Sequence, residues 1–210
     1  MTKLTGQQIA AEGLDGWVYL PGGLRTRIAT KDFADGLAVV NAIAVLAEEM
    51  DHHPDLDLRY THVDIRLRSH DVGGVTGRDI RLAREISALG LVLDHATVSQ
   101  IEFGLDTPDQ AAIQPFWAAV LAMSVGDNDV QDPAGALPAV WFQESGSSEP
   151  RQHWHPDVWV DPAQVQARID AALAAGGTLV SDEEAPSFWV LADPEGNKVC
   201  LCTWQDRARP

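Results

Sequence analysis

Between Glu48 and Asp79 the chain reads EEMDHHPDLDLRYTHVDIRLRSHDVGGVTGRD, and its hydrophobic period changes twice within that span. A helical repeat enters it and is closed by Pro54, which has no N–H to give and crowds the preceding turn. From Tyr60 to His70 the pattern alternates. Thr61, Val63, Ile65 and Leu67 take one face, and Tyr60, His62, Asp64, Arg66, Arg68 and His70 take the other, as in a half-buried antiparallel strand. A helical pattern resumes at Gly77 with IRLAREI. A chain that runs helix, alternating strand, helix here needs a sheet with one wet face and one face covered by helices, which places it in the α+β class.

The flanking residues extend the pattern. Thr5-x-x-Gln8 forms a capping box for a short first helix, followed by a strand near Trp17–Leu20, a Pro21-Gly22-Gly23 turn and a strand near Leu24–Ala29. Thr30 or Asp32 caps a long helix whose apolar positions Phe33, Leu37, Val40, Ala44 and Ala47 are expected to lie on the strands. A short strand is expected around Asp71–Val75, and a final helix from Gly77 to Leu89. The order is α-β-β-α-β-β-α over residues 1–92, with an antiparallel sheet and the helices on one face.

From about Thr97 the grammar changes. VSQIEFGLDT reads as a strand, PDQAAIQPFWAAVLAM as a helix, and strand-like pieces end in ALPAVWFQES. After a polar, turn-rich joint, GSSEPRQH, the pattern repeats as HPDVWV, DPAQVQARIDAALAAGG, TLVSDEE, SFWVLADPEGN and KVCLCTW. This predicts a second domain over residues 97–207 made of two tandem βαβββ-type units. Trp117, Trp141, Trp154, Trp159, Trp189 and Trp204 crowd this half, and core filling accounts for most of them, with an aromatic pocket for a flat ligand as the alternative.

The 210 residues suffice for two cores, and a formal net charge of -16 excludes nucleic acid and anionic membranes as expected partners. MTKLTGQQIAAEG lacks the apolar stretch of a signal peptide, and no run nears the roughly 20 apolar residues of a membrane span, so a cytoplasmic location is expected. Cys200 and Cys202 stand two apart in a strand-like run and point to one side, which makes them two buried free thiols rather than a disulfide, with metal binding as the lesser alternative.

The chemistry in the first half rests on histidine, the side chain best suited to moving protons near neutral pH. Taken singly, His52 and His53 read as helix-end residues, His70 as a strand-end residue and Asp79 as a helix N-terminal charge. Glu48 precedes His52 by four residues, which places both on one helix face if the helix continues that far.

The joint spacing is more specific. Glu48, His52-His53-Pro54, Tyr60, His70 and Asp79, together with Trp17, Asp32-Phe33 and HDVGGVTGRDIRLA, resemble the pterin-4a-carbinolamine dehydratases from about Leu4 to about Leu91. The resemblance implies an enzyme that converts a 4a-hydroxytetrahydropterin to a quinonoid dihydropterin and water, without a metal or organic cofactor. It implies His52 and His70 as the acid/base pair and His53 as an orienting and charge-stabilising group. Glu48 and Asp51 would tune the histidines or bind the pterin's polar edge, Trp17 would pack on the pterin ring, and Asp79 would hold local structure or orient a histidine. A small-molecule pterin is the expected partner, in a homo-oligomer. The alternative is a non-catalytic pterin-binding or assembly module.

Residues 97–205 resemble the glyoxalase-like members of the vicinal oxygen chelate superfamily, carried by Asp106-Thr107-Pro108, Phe116-Trp117, His155-Pro156-Asp157 and Asp193-Pro194-Glu195-Gly196-Asn197. That superfamily often holds a divalent metal through four His, Gln or Glu side chains. Gln100 and His155 occupy the first and third ligand positions, the second is open among Trp141, Phe142 and Gln143, and Cys200 stands where a carboxylate is usual. The expectation is therefore no metal here, with a metal-dependent activity in this half as the competing reading.

Overall fold

The computed structural model describes residues 2–145, 154–192, 196 and 198–207. The chain forms two compact units, one running to Val98 and taking in the residues from Trp204 onward, the other Ser99–Thr203. Among the described residues no helix is long and apolar enough to cross a membrane.

The first unit runs α1 (Gly6–Ala11), β1 (Val18–Leu20), β2 (Gly23–Ala29), α2 (Phe33–Met50), β3 (Asp55–Leu58), β4 (His62–Leu67), α3 (Gly77–Ala88) and β5 (Leu93–Asp94). The sheet order is β1-β2-β4-β3, with β5 also pairing to β2, and every pairing is antiparallel. The Thr5–Gln8 capping box and the Asp32 cap are both formed. Leu24 and Ile28 of β2 and Val63, Ile65 and Leu67 of β4 join Val39, Ile43, Ile80, Leu82 and Ile86 from the helices in one core. The alternate strand residues, Arg25, Arg27, Asp64 and Arg66, lie on the helix-free face.

Two expectations are corrected. The second strand pair is β3 with β4, so its partner strand precedes the alternating one; residues 71–75 instead form a turn closed by a bridge between Ser69 and Gly74. Asp57-Leu58-Arg59 and the turn before His62 make a tight hairpin that the charged residues of DLDLR disguised. The buried stripe of α2 is Gly36, Val39, Ile43 and Ala47, which leaves Phe33 and Leu37 exposed. Gly36 faces the sheet at close range: a Cβ there would come 2.6 Å from Leu58 Cδ1, so a larger residue would require the Leu58 side chain to shift.

The second unit comprises β6 (Gln100–Thr107), α4 (Gln110–Leu121), β7 (Ser124–Val125), β8 (Asp129–Gln131), β9 (Val140–Glu144), β10 (Trp154–Trp159), α5 (Val165–Ala174), β11 (Thr178–Ser181), β12 (Phe188–Ala192) and β13 (Lys198–Cys202). Its eight-stranded sheet has the order β11-β12-β13-β10-β6-β9-β8-β7. The two halves are equivalent. Strand β6 pairs parallel with β9 as β10 does with β13, and β6 meets β10 antiparallel at the centre. Helix α4 covers Leu105, Val130, Val140 and Phe142, while α5 covers Leu191 and Leu201. The tandem βαβββ pattern is thus realised; all of GSSEPRQH and most of Asp193–Asn197 lie outside the described residues.

Candidate active site

Helix α2 ends so that two adjacent histidines enter opposite environments. Asp51 turns left-handed (φ 48°, ψ 45°), and the His52 N–H reaches back to the Ala47 carbonyl at 3.1 Å. This closure normally falls to glycine. A left-handed non-glycine residue costs about 1–2 kcal/mol, which aspartate tolerates better than most. The reversal buries His52 and leaves His53 outside.

The His52 side chain is 7% exposed, and its Nε2 lies 2.8 Å from Oδ1 of Asp79, which is 0% exposed. The second Asp79 oxygen accepts from Ser69 Oγ at 2.7 Å, the Thr76 N–H at 2.7 Å and Thr76 Oγ1 at 3.2 Å. A carboxylate only accepts, so Nε2 of His52 is the donor, and the neutral form of the ring is the tautomer with its lone pair on Nδ1. Thr76 and Asp79 also form the capping box that starts α3, so one carboxylate both begins a helix and fixes a histidine tautomer.

His53, 57% exposed, meets Glu48 Oε1 at 3.2 Å through Nε2. The expected pairing of Glu48 with His52 is therefore corrected: the left-handed turn at Asp51 breaks the four-residue relation and hands Glu48 to the next residue. His70 is 67% exposed, with Nε2 3.7 Å from Asp55 Oδ1, and it follows Ser69, the residue that donates to Asp79. His52, Asp79 and Ser69 are thus joined by hydrogen bonds, and His70 is attached to that chain through the backbone. Trp17 sits in the core with its Nε1 donating to Ser87 Oγ at 3.0 Å, so its ring packs against protein.

Charge on the helix-free face is dense. Burial, reinforced by Arg66, pushes the Arg25 guanidinium down to about 10, and burial followed by Arg68 lowers Arg66. Asp55 lies 3.8 Å from Arg66 and also faces His70, linking the arginines to the histidine.

Ser69, Thr76 and Asp55 were not singled out from the sequence. The alternation that buries Val63, Ile65 and Leu67 also predicts an inward Ser69, and T-x-x-D before an apolar run is a capping signal. Asp51 offers a test of the turn. Asp51→Gly is expected to keep the fold and raise its stability by up to about 1 kcal/mol, whereas Asp51→Val should lower it by about 1–2 kcal/mol, measured by urea unfolding.

In the second unit, strand register places Glu102, Gly104, Asp106, Trp141, His155, Asp157 and Cys200 on the face opposite α4 and α5. Gln100 is in register with Trp159, four residues along β10 from His155, roughly 13 Å away along the strand. The superfamily's first and third ligand positions are therefore not brought together here. His155, Asp157 and Cys200 are, with one donor atom from each lying within 4.8 Å of the others.

Known proteins align with each half. Residues 2–89 match the family model for pterin 4 alpha carbinolamine dehydratase, and residues 102–202 match that for a glyoxalase-like domain. A protein of Mycobacterium avium (strain 104) named "Putative pterin-4-alpha-carbinolamine dehydratase" is 42% identical over 91 residues, 42% of this chain and 97% of that one. A protein of the same name from Aquifex aeolicus (strain VF5) is 39% identical over 89 residues, 41% of this chain and 90% of that one. A solved structure described as a transcriptional coactivator/pterin dehydratase from Brucella melitensis is 33% identical, covers 42% of this chain and 98% of its own, and superposes with a TM-score of 0.40.

Proposed function

Because the chain belongs, through residues 2–89, to the pterin-4a-carbinolamine dehydratase family, we propose that its first unit eliminates water from a 4a-hydroxytetrahydropterin to give the quinonoid dihydropterin. The observation that carries this reading is the buried His52–Asp79 pair, linked through Ser69 to the strand end that bears His70. In the elimination one group protonates the departing 4a-hydroxyl, which leaves as water, and another takes the proton from the ring nitrogen.

His52 and His70 form the acid/base pair. A carboxylate behind an imidazole fixes its tautomer and favours the charged ring that forms when it accepts a proton. His53, held by Glu48, orients the substrate, and Asp51 and Glu48 offer carboxylates to the amino-pyrimidine edge of a pterin. Trp17 acts from the core, holding the fold beneath the site. His53 and His70 are exposed, whereas His52 is buried against Asp79, whose carboxylate fixes the direction of its ring. We also propose a homo-oligomer, with the exposed Phe33 and Leu37 on α2 as apolar surface for a second copy to cover.

The test follows the ultraviolet decay of a freshly generated 4a-hydroxytetrahydropterin. Wild type is expected to accelerate it, and the folded double variant His52→Ala, His70→Ala to leave it at the buffer rate. No acceleration by wild type would reject the dehydratase and leave the first unit a binding module.

A further inference from the structure

We infer that the second unit binds a borderline divalent cation of the Zn²⁺ class through His155, Asp157 and Cys200. This set departs from the superfamily's pattern at two points: Asp157 replaces the distant Gln100 as a donor, and a thiolate takes the usual carboxylate's place. The inference is independent of any turnover in the first unit.

The three donors come from two adjacent parallel strands. His155 and Asp157 are two residues apart on β10 and so share a face, and Asp157 is in register with Cys200 of β13. His155 Nε2 lies 3.5 Å from Asp157 Oδ1, the separation expected of two atoms sharing one ion. With Cys200 Sγ included, the donors span no more than 4.8 Å, within reach of a tetrahedral site after small side-chain adjustments. Three protein ligands leave a fourth position open, the arrangement of sites that bind a further molecule.

The surroundings hold these donors in place. Trp141 donates its indole N–H to Asp157 Oδ2 at 2.7 Å, leaving Oδ1 turned to His155. Its ring meets the imidazole edge-on at 5.4 Å between centroids. On the far side of the imidazole, Asp106 Oδ1 lies 4.0 Å from Nδ1, beyond hydrogen-bond distance, and places a second carboxylate beside the ring. Gly104 makes room for the ring, because a Cβ there would come 2.4 Å from His155 Cε1. Lys198 shares this side of β13 but is exposed at its start, whereas Asp157 is buried.

The donor chemistry narrows the ion. Mixed imidazole, carboxylate and thiolate ligation suits Zn²⁺ and its neighbours, while Mg²⁺ and Ca²⁺ require oxygen donors throughout.

The experiment uses the full chain, stripped of metal with a chelator and titrated with Co²⁺ as the spectroscopic probe. The expected result is saturation at about one Co²⁺ per chain with visible d–d bands and a near-ultraviolet thiolate-to-cobalt band, all displaced by Zn²⁺. Cys200→Ser should abolish the thiolate band, Asp157→Asn should weaken binding by about tenfold or more, and Cys202→Ser should change neither. Circular dichroism confirms that each variant is folded. No saturable uptake by folded wild type would overturn the inference, as would a thiolate band that survives Cys200→Ser.

Discussion

Asp79→Ala is expected to lower the free energy of unfolding of the first unit by about 3–5 kcal/mol, the range for removing one partner of a buried charged pair. The carboxylate accepts from four donors: His52 Nε2, Ser69 Oγ, the Thr76 N–H and Thr76 Oγ1. Alanine leaves them facing a void in the core, where each unmet donor costs about 1–3 kcal/mol before relaxation. The loss also removes half of the capping box of α3, a helix that contributes Ile80, Leu82, Ala83 and Ile86 to the core. Guanidinium unfolding monitored by far-ultraviolet circular dichroism measures the effect. His52→Ala provides the contrast, since it removes one donor and leaves the other three satisfied, with an expected loss of about 1–3 kcal/mol. Equal and small losses for both variants would mean that the network does not hold the two helices and β4 together.

Why the sequence revealed some of this and hid the rest follows from the range of each interaction. Period-two alternation from Tyr60 to His70 is a local property of one strand, and the structure keeps its phase residue by residue through β4. The two βαβββ units were legible for a similar reason, since each strand carries its own apolar run and the repeat supplies the pairing. Strand β3 was hidden because DLDL has acidic residues at alternate positions and lies at the sheet edge, where only its leucines touch the core. The phase of α2 was misjudged because Phe33 and Leu37 outweigh Gly36 in hydrophobicity, yet the stripe that faces the sheet is Gly36, Val39, Ile43 and Ala47.

The site divides along the same line. The histidines were evident from spacing, but their partners depend on a single backbone reversal. With Asp51 helical, Glu48 and His52 would share a face; with Asp51 left-handed, Glu48 meets His53, and His52 reaches a carboxylate 27 residues later in the chain. No period in the sequence encodes that turn, and aspartate in place of the usual glycine conceals it. Likewise, the His155, Asp157 and Cys200 cluster depends on β10 pairing parallel with β13 in one particular register. The sequence separation of the two strands gives no hint of it.

Asp79→Asn separates the structural role of this carboxylate from the one proposed in dehydration. The Oδ2 position is surrounded by three donors, so the amide oxygen of asparagine must take that place and its NH₂ must turn to His52. There it donates to Nε2, which moves the ring proton to Nδ1 and removes the lone pair that Nδ1 presents in the wild type. The hydrogen-bond network then survives almost intact, and the stability loss is expected to be about 1–2 kcal/mol, well below that of alanine. The dehydration rate is expected to fall by about 10²–10⁴-fold, because the imidazole is in the wrong tautomer and lacks a charge behind it. His52→Ala should fall in the same range, and the double variant should be little worse than either single one, since both changes disable one device. Nitrogen-15 NMR of the histidine rings reads the tautomer directly, with the proton on Nε2 in wild type and on Nδ1 in Asp79→Asn. A tautomer that switches without loss of rate would show that His52 is a structural partner of Asp79 and would move the acid/base work to His53 and His70, where exposure already gives a substrate access.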